Sequence, residues 1–492
     1  MRQKRTIYHN DARHNYLWMF EPPMRMEDAW VPVDEVAGTA VDTLSYCVER
    51  GDGAFWPTEV GVRFGSDKRP FKSQIIWRAW ECMQSLLDAG LDPLGVVIDR
   101  AHARGMDFFA DLRLSTYGGM AEDHTLAEGG RGWGHQEVRD HQLAIVEELI
   151  TDYAIDGFEL DYTAAFDASG SFYFPRDEVA DSTAVMTDWV RKASALVRSS
   201  GDGSRVFGAR IYPSEEANLA QGLDVRAWLA EGLLDFVVPV LYAYTDLDPN
   251  MPFRWVVEPA HDADASIYGF LQHYVRSDVT GAAIKEYARA EHFRAAAANF
   301  WDWGVDGLYS YMFHWPLGIE ERSILTEWGD AELTKEARKH YVFARRCADA
   351  AAIGYDHVIP YEFKSEAAGS GGVEIEFYIA DDLGGPDNRA TEVRLRLFFS
   401  NHVSADRFTV VLNGQSLAGE TMHRVRKSEP DTFNHSGARN HWLDFHLRDI
   451  LPRKGDNILR VDLESRPAGL HGSVNLEEIE IIIDYSPYPS GL

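Results

Sequence analysis

The sequence predicts an α/β fold, a (β/α)8 TIM barrel, followed by an all-β sandwich of jelly-roll type. In the first part of the 492-residue chain, eight short apolar segments alternate with helix-like segments, which is typical of a parallel α/β fold. Beyond Ala352 the helix-like segments stop and short alternating strands follow one another. We therefore expect a barrel domain over residues 1–352 and a β-sandwich accessory domain over residues 353–492.

The barrel prediction rests on eight candidate strands with helices between them. Asp156-Gly157 and Asp306-Gly307 each precede an apolar run and mark turns from a helix into a strand. The last two helices are expected over Ala282–Trp303 and Ala331–Ala352. The eight candidate strands are Thr6–Asp11, Ala40–Val48, Asp107–Ser115, Gly157–Tyr162, Arg205–Tyr212, Phe236–Tyr242, Ser266–Gln272 and Gly307–His314.

The sandwich prediction rests on the alternation of apolar and polar residues after a flexible-looking connection, Lys364–Gly372. Asn413-Gly414 is a hairpin signal between two such runs. Modules of this kind either bind sugar or brace a neighbouring domain, and the lack of an obvious aromatic platform favours bracing. The six runs read VEIEFYIA, VRLRLFF, FTVVLNGQSL, WLDFHL, NILRVDL and LEEIEIIID.

The composition limits the partners and the compartment. A formal net charge of −30 argues against nucleic acid, and against other polyanions except through a local basic pocket. No run approaches the roughly 18 apolar residues of a membrane span, and the N-terminus lacks the apolar run of a signal peptide. We expect no membrane partner and a cytoplasmic protein, or a secreted one if a leader was removed. The sequence specifies no oligomeric state.

No cofactor or metal is predicted. The sequence holds no HExxH, CxxC, Walker or dinucleotide-binding pattern, and no GxSxG nucleophile elbow. The cysteines Cys47, Cys82 and Cys347 are widely spaced in apolar contexts, which is typical of buried hydrophobic positions rather than of a disulfide framework.

The fourth candidate strand carries two carboxylates on one face. Phe158 and Leu160 point one way, and Glu159 and Asp161 point the other. Two residues along a strand are separated by roughly 6.5–7 Å, within the range of about 5–9.5 Å over which paired carboxylates cleave glycosidic bonds. This pattern predicts catalysis or substrate binding at the mouth of the barrel. The alternative is that both residues belong to a buried structural ion pair.

Two arginines are expected beside this pair. Arg113 on the third strand and Arg210 on the fifth face inward by the same alternation, and these strands flank the fourth. A guanidinium within about 4–6 Å lowers the pKa of a carboxyl group, which suits an ionised nucleophile or an acceptor of sugar hydroxyls. The alternative is an interior belt of salt bridges.

The proton donor is left open between two residues. Glu159 has the longer side chain of the two carboxylates on the fourth strand. Asp246 follows the sixth strand and lies near two tyrosines in the sequence. Further residues at strand ends or in the following loops complete a polar and aromatic rim that would bind the substrate. These are His9, Asp11, Trp133, Tyr242, Tyr244, Gln272, His314 and Trp315.

The chain resembles a known protein family in the motif DGFELDY and in the segments FFADLR, GLDVRAWLAEGLLDFVVP and DGLYSYMFHW. The family is that of glycoside-hydrolase-like (β/α)8 proteins with a trailing β-sandwich, and the resemblance covers most of residues 1–350. The motif is also loosely similar to the chitinase DxxDxDxE strand. Asp156, Glu159 and Asp161 would match its three aspartates, but Thr163 stands in place of the catalytic glutamate, which argues against chitinase chemistry. The resemblance implies a glycosidase that hydrolyses a poly- or oligosaccharide. The alternative is a catalytically inactive carbohydrate-binding barrel.

Overall fold

The computed structural model of the protein describes most of the chain, with gaps between its segments. The described residues are 2–50, 53–114, 124, 132–163, 173–240, 247–276, 286–311, 313, 316–343, 358–364, 372–385, 388–426, 441–486 and 488.

Eight parallel strands form a closed barrel, as predicted. Each strand pairs with the next along the chain, and the last pairs with the first, so the sheet has no open edge. The strands are β1 (Arg5–Asn10), β2 (Thr43–Arg50), β3 (Asp107–Arg113), β4 (Gly157–Asp161), β5 (Val206–Ile211), β6 (Phe236–Pro239), β7 (Ser266–Leu271) and β8 (Gly307–Tyr311).

Helices connect the barrel strands. The helix Pro93–Ala103 shows why they begin where they do, because Asp92 caps it by accepting hydrogen bonds from the backbone of Leu94 and Gly95. The longer helices are Gln74–Asp88, Pro93–Ala103, Gln136–Asp152, Val179–Ser199, Arg254–Asp262, Ala290–Trp303 and Ile319–Glu327, and the shorter ones include Glu215–Ala220, Val225–Ala230 and Ala331–Lys335. The helix predicted over Ala282–Trp303 begins only at Ala290, since Glu286–Tyr287 pairs as a strand with Tyr274–Arg276.

Four aspartates tie the barrel together at the N-terminal ends of its strands. Each stands directly before an even-numbered strand and bonds twice to one residue of the preceding strand: its backbone N–H donates to that residue's carbonyl, and its Oδ2 accepts from that residue's N–H. The barrel is thus built from four similar strand pairs. The pairs, with the distance from the strand N to Oδ2, are Thr6 and Asp42 (3.2 Å), Phe108 and Asp156 (2.8 Å), Phe207 and Asp235 (2.8 Å), and Ile267 and Asp306 (3.0 Å).

The C-terminal region forms two antiparallel sheets packed on a common core, which confirms the predicted β-sandwich. Asn413 and Gly414 take φ angles of 50° and 80°, the left-handed values that a tight hairpin turn requires. The first sheet contains Lys339–Phe343, Tyr361–Phe363, Ala390–Ser400, Thr421–Arg426, His441–Leu447 and Val474–Tyr485, and the second contains Gly372–Ile379, Arg407–Leu412, Gln415–Ser416 and Gly455–Ser465.

The helix predicted over Ala331–Ala352 is wrong between Glu336 and Phe343, and its last residues, 344–352, lie outside the described part of the chain. The helix ends at Lys335, and Lys339–Phe343 is a strand that pairs with Val474–Tyr485 in the sandwich. Tyr341 and Phe343 fill the sandwich core, so burial against the sheet overrides the local helical pattern. This pairing favours a domain boundary before Lys339, and the division after residue 352 stays a prediction.

The connection predicted over Lys364–Gly372 lies mostly outside the described residues, as does Cys347. None of the described helices combines the length and the apolar character needed to cross a membrane.

Candidate active site

A cluster of charged side chains fills the barrel interior towards the C-terminal ends of β3, β4 and β5. In the strand register Asp111 lies beside Glu159, and Asp161 lies between Arg113 and Arg210. All five side chains are fully buried. The predicted inward direction of both arginines and both carboxylates is therefore confirmed by their contacts with one another.

The missing side chain of Gly208 leaves space for an aromatic ring next to this cluster. Gly208 is the β5 neighbour of Glu159, and a Cβ at that position would lie 2.5 Å from atoms of the Phe236 ring. That ring therefore occupies the space below the cluster, stacked against Phe109 with 5.4 Å between the ring centroids. The charged cluster is thus packed against the aromatic rings of Phe236 and Phe109.

Asp161 accepts two hydrogen bonds and lies beside two guanidinium groups. Its Oδ1 accepts hydrogen bonds from the backbone N–H of Thr163, at 2.8 Å, and from the Thr163 hydroxyl, at 2.9 Å. Its Oδ2 lies 3.2 Å from Arg210 Nη2 and 3.5 Å from Arg113 Nε. The two hydrogen bonds and the two neighbouring guanidinium groups fix the orientation of the carboxylate.

Glu159 lies in a different environment, one layer deeper. Its Oε1 lies 2.7 Å from Arg210 Nε and accepts a hydrogen bond from the Tyr309 hydroxyl at 2.8 Å. Burial, together with the nearby Asp111, raises the pKa of Glu159 to about 8, although Arg210 acts in the opposite direction. Glu159 is therefore mainly protonated at neutral pH. Its environment differs from that of Asp161, only two residues further along the same strand.

Asp111 and His9 extend the cluster towards β1. Asp111 forms an ion pair with Arg210, and burial raises its pKa to about 6. His9 Nε2 lies 3.9 Å from Asp111 Oδ2, and Nδ1 lies 3.2 Å from Ser45 Oγ. Burial, followed by the two arginines, holds the pKa of His9 well below its usual range, so this imidazole is neutral.

Asp11 lies just past β1 and closes the upper layer. Its Oδ2 lies 3.5 Å from Arg113 Nη2, 3.3 Å from His14 Nδ1 and 3.2 Å from the Tyr311 hydroxyl, which donates to it. The cluster thus holds four carboxyl groups against two guanidinium groups. Such an excess of acid in a buried site favours keeping one carboxyl group protonated, in agreement with the environment of Glu159.

Several residues of this cluster were missed from the sequence. Ser45, Tyr309 and Tyr311 face the interior, and Tyr309 links the β8 side of the barrel to Glu159 and Ser45. The period-two alternation of TLSYCVE and GLYSY places these residues on the inward face and could have identified them. Asp111 lies on the same face of its strand as Arg113 by this alternation, and it was not assigned to the site from the sequence.

Among the residues that the structure describes, two groups of side chains could hold a metal ion by the proximity of their ligand atoms. The ligand atoms of His9, Asp111 and Glu159 lie within 4.8 Å of one another. However, Arg210 contacts both of these carboxyl groups, so a cation there would face a guanidinium and the fit is poor. The second group, His124, His135 and Glu137, precedes and opens the helix Gln136–Asp152, and its ligand atoms lie equally close together.

The remaining predicted site residues are not all brought together. Gln272 is buried directly after β7. Trp133 is fully buried and packs edge-on against Trp189, with ring centroids 4.9 Å apart, so it is not part of the charged cluster. Asp156, of the chitinase-like motif, lies at the opposite end of β4. Asp246, Tyr242, Tyr244, His314 and Trp315 lie outside the described residues.

Comparison with known proteins gives one curated name at low identity. The chain is 24% identical over 267 residues to "Glycosyl hydrolase DigH" of Escherichia coli K12, and the same name is matched from Shigella flexneri. The alignment covers 43% of this chain and 56% of the relative, so the chain spans little more than half the length of the curated relatives it matches. No family model matches the chain. This relative and the closed barrel confirm the resemblance to glycoside-hydrolase-like barrel proteins.

Solved structures with a similar chain path include two α-L-fucosidases. The isoenzyme 2 from Paenibacillus thiaminolyticus gives a TM-score of 0.43 at 12% identity, covering 68% of this chain and 50% of that one. A fucosidase of glycoside hydrolase family 29 from Bacteroides thetaiotaomicron gives a TM-score of 0.39 at 10% identity, covering 93% and 92%. Likeness of this degree carries no argument about activity, and the barrel assignment rests on the strand pairing.

Proposed function

We propose that the protein is a glycoside hydrolase that cleaves the glycosidic bonds of a poly- or oligosaccharide. The observation that carries the proposal is the contrast between Asp161 and Glu159. Two inward carboxyl groups on one strand share Arg210, yet Asp161 accepts two hydrogen bonds from Thr163 and lies beside both arginines, whereas burial raises the pKa of Glu159 to about 8. Glycosidases need such a pair, one carboxylate and one carboxylic acid, at the same end of the barrel.

In this proposal Asp161 acts on the sugar carbon at which the bond breaks. Its charge stabilises the positive charge that develops there in the transition state, either directly or by forming a covalent bond to that carbon. Arg113, Arg210 and Thr163 keep the carboxylate in one orientation, so little reorganisation is needed during the reaction.

Glu159 is the proposed proton donor to the leaving oxygen. A carboxyl group that remains protonated at neutral pH can supply that proton, and its pKa is close to the optimum for a general acid at pH 7. Asp246, which follows β6 in the sequence, is the alternative donor. Asp111 and Tyr309 would then serve to set the protonation of Glu159 rather than to react.

The relative from Escherichia coli supports this proposal through its name, a glycosyl hydrolase, and a carbohydrate is accordingly the proposed substrate. The sandwich is proposed to brace the barrel. Asn299 on the helix Ala290–Trp303 supports that role, since its side chain donates to the carbonyl of Tyr378 in the sandwich at 2.8 Å.

A second candidate function is carbohydrate binding without cleavage. The observation that favours it is the complete burial of Asp161 and Glu159, each paired with arginine, as in a structural ion network. The two candidates differ in what happens to a bound saccharide.

The test uses dialysed protein on a panel of glycans, with release of new reducing ends and retention of saccharide measured in parallel. We expect turnover that falls by several orders of magnitude in Asp161→Asn, while the fold stays intact. Asp156→Asn is the matched control, because Asp156 lies at the other end of the same strand. Retention without new reducing ends would favour the binding function. Turnover close to wild type in Asp161→Asn would contradict the catalytic assignment.

A further inference from the structure

A small pocket lies between the two chain segments that follow β1 and β2. Its volume is about 250 Å³. Its lining combines apolar side chains such as Leu17 and Ile76 with two cations, Arg13 and Lys68. The indole ring of Trp18, 59% exposed, also lines it. No carboxyl group belongs to the described residues of this lining, but Lys68 forms an ion pair with the neighbouring Asp67, so an anionic ligand would compete with that carboxylate.

The second of these segments is basic in an acidic protein. Within residues 61–80 five side chains are basic and one is acidic, a net charge of +4, whereas the whole chain carries −30. The basic residues are Arg63, Lys68, Arg69, Lys72 and Arg78, and the acidic one is Asp67. A local reversal of sign concentrates anionic ligands at that place on the surface.

Two of these cations lie on one aromatic ring. The guanidinium carbons of Arg63 and Arg69 are 3.6 Å and 4.1 Å from the centre of the Trp80 ring. Arg63 donates a hydrogen bond to Gln84, and neither arginine has a salt bridge to a carboxylate within the described part of the chain. Burial, followed by the charge of Arg69, lowers the pKa of Arg63. Trp80 lies directly behind Gly65, which lines the pocket, so both positive charges act close to it.

The pocket is also close to the charged cluster in the barrel. Asp11 contacts Arg113 of the cluster at 3.5 Å, and Arg13 of the pocket lies two residues further, in the helical turn Ala12–His14. Both segments follow the C-terminal ends of their strands, the end at which barrel enzymes bind their substrates.

Resting on the proposed glycosidase function, we propose that this pocket binds an anionic sugar unit of the substrate, one that carries a carboxylate or a sulfate group. Trp18 offers a face for the sugar ring, and Arg13 and Lys68 pair with the anionic group. Arg63 and Arg69 raise the local positive potential, which offsets the repulsion of a polyanion by the net charge of the chain. A volume of about 250 Å³ is slightly below the range of about 300–1,000 Å³ of small-molecule sites, which suits a single sugar unit. The substrate is therefore an acidic glycan.

The test measures binding of three tetrasaccharides to the full chain by calorimetry: tetragalacturonate for the carboxylate, a sulfated carrageenan tetrasaccharide for the sulfate, and neutral cellotetraose. We expect at least one acidic tetrasaccharide to bind about tenfold or more tightly than cellotetraose, with an affinity that falls as salt is added. The double variant Lys68→Gln with Arg69→Gln should lose most of that difference. Lys335→Gln, which removes an exposed lysine on a distant helix, should not.

The two acidic probes decide between carboxylate and sulfate. Equal affinity for all three tetrasaccharides, no binding of either acidic one, or unchanged affinity in the double variant would each overturn the proposal. Asp161→Asn should keep the binding, which separates this pocket from the chemistry. Acidic glycans that bind but are never cleaved would refute the glycosidase function alone. Cleavage of an acidic glycan at an equal rate by the double variant would refute the pocket alone.

Discussion

The two ends of the barrel use aspartate in opposite ways. At the N-terminal ends of the strands, Asp42, Asp156, Asp235 and Asp306 each accept a hydrogen bond from a neighbouring strand and tie the sheet together. Towards the C-terminal ends, Asp111 and Asp161 are fully buried among arginines and a further carboxyl group. The first arrangement is repeated, partly exposed and satisfied by backbone. The second arrangement occurs once, is fully buried and is held by ion pairs. Such an environment costs stability and is typical of a functional site.

The contrast between the two ends of the barrel predicts a large difference in the stability cost of removing an arginine. Arg210→Leu leaves Asp111, Glu159 and Asp161 without their shared cation, so the free energy of unfolding should fall by about 3–5 kcal/mol at neutral pH. Arg5→Leu is the control at the N-terminal end, where Arg5 pairs with the half-exposed Asp107, and should cost about 1 kcal/mol or less. Urea denaturation measures both. Equal losses in the two variants would show that the two ends do not differ.

The next effect concerns activity. Arg113→Lys keeps the charge but loses the planar fork that reaches Asp11 and Asp161, so turnover should fall by about 10- to 100-fold with a small change in melting temperature. Turnover and melting are measured on the same preparation. If both stay unchanged, Arg113 does not serve the site. If only the melting temperature falls, its role is structural.

A third prediction concerns pH. Because burial raises the pKa of Glu159 to about 8, the folded state binds a proton that the unfolded state releases near pH 4.5. This contribution to stability is complete below about pH 4.5 and is lost as the pH rises towards 8. Glu159→Gln removes the titration, so its unfolding free energy should fall less over that range, by roughly 4 kcal/mol. Parallel pH profiles of the variant and the wild type would contradict the raised pKa.

The smallest effect belongs to the N-terminal end. Asp156→Ala removes the acceptor of the Phe108 N–H and should cost about 1–2 kcal/mol of unfolding free energy, with turnover unchanged. Asp235→Ala should behave alike, and the double variant should be nearly additive, since the two residues bond to different strand pairs. A large loss of turnover in either variant would contradict a purely structural role of the aspartates at the N-terminal end.

The sequence predicted the parts that depend on period and chain order. Alternation places Asp111, Arg113, Glu159, Asp161 and Arg210 on the inward face, and neighbouring strands in a barrel follow chain order. These two rules bring the charged cluster together without further information.

The parts that escaped prediction depend on contacts between distant segments. The hydrogen bond from Tyr309 to Glu159 crosses the barrel interior, so its geometry depends on strand tilt and stagger. The strand Lys339–Phe343 resembles the end of a helix until its partner Val474–Tyr485 is known. Trp133 was assigned to a substrate-binding loop, but packing against Trp189 buries it.

The most direct test of the account is the protonation state of Glu159. Isotope-edited infrared spectra of protein with labelled glutamate distinguish the carbonyl stretch of a carboxylic acid from the bands of a carboxylate. We expect a carboxylic-acid band at pH 7 that fades as the pH is raised through about 8, persists in Asp161→Asn and is absent from Glu159→Gln. Absence of that band from the wild type at pH 7 would contradict the division of roles between the two carboxyl groups.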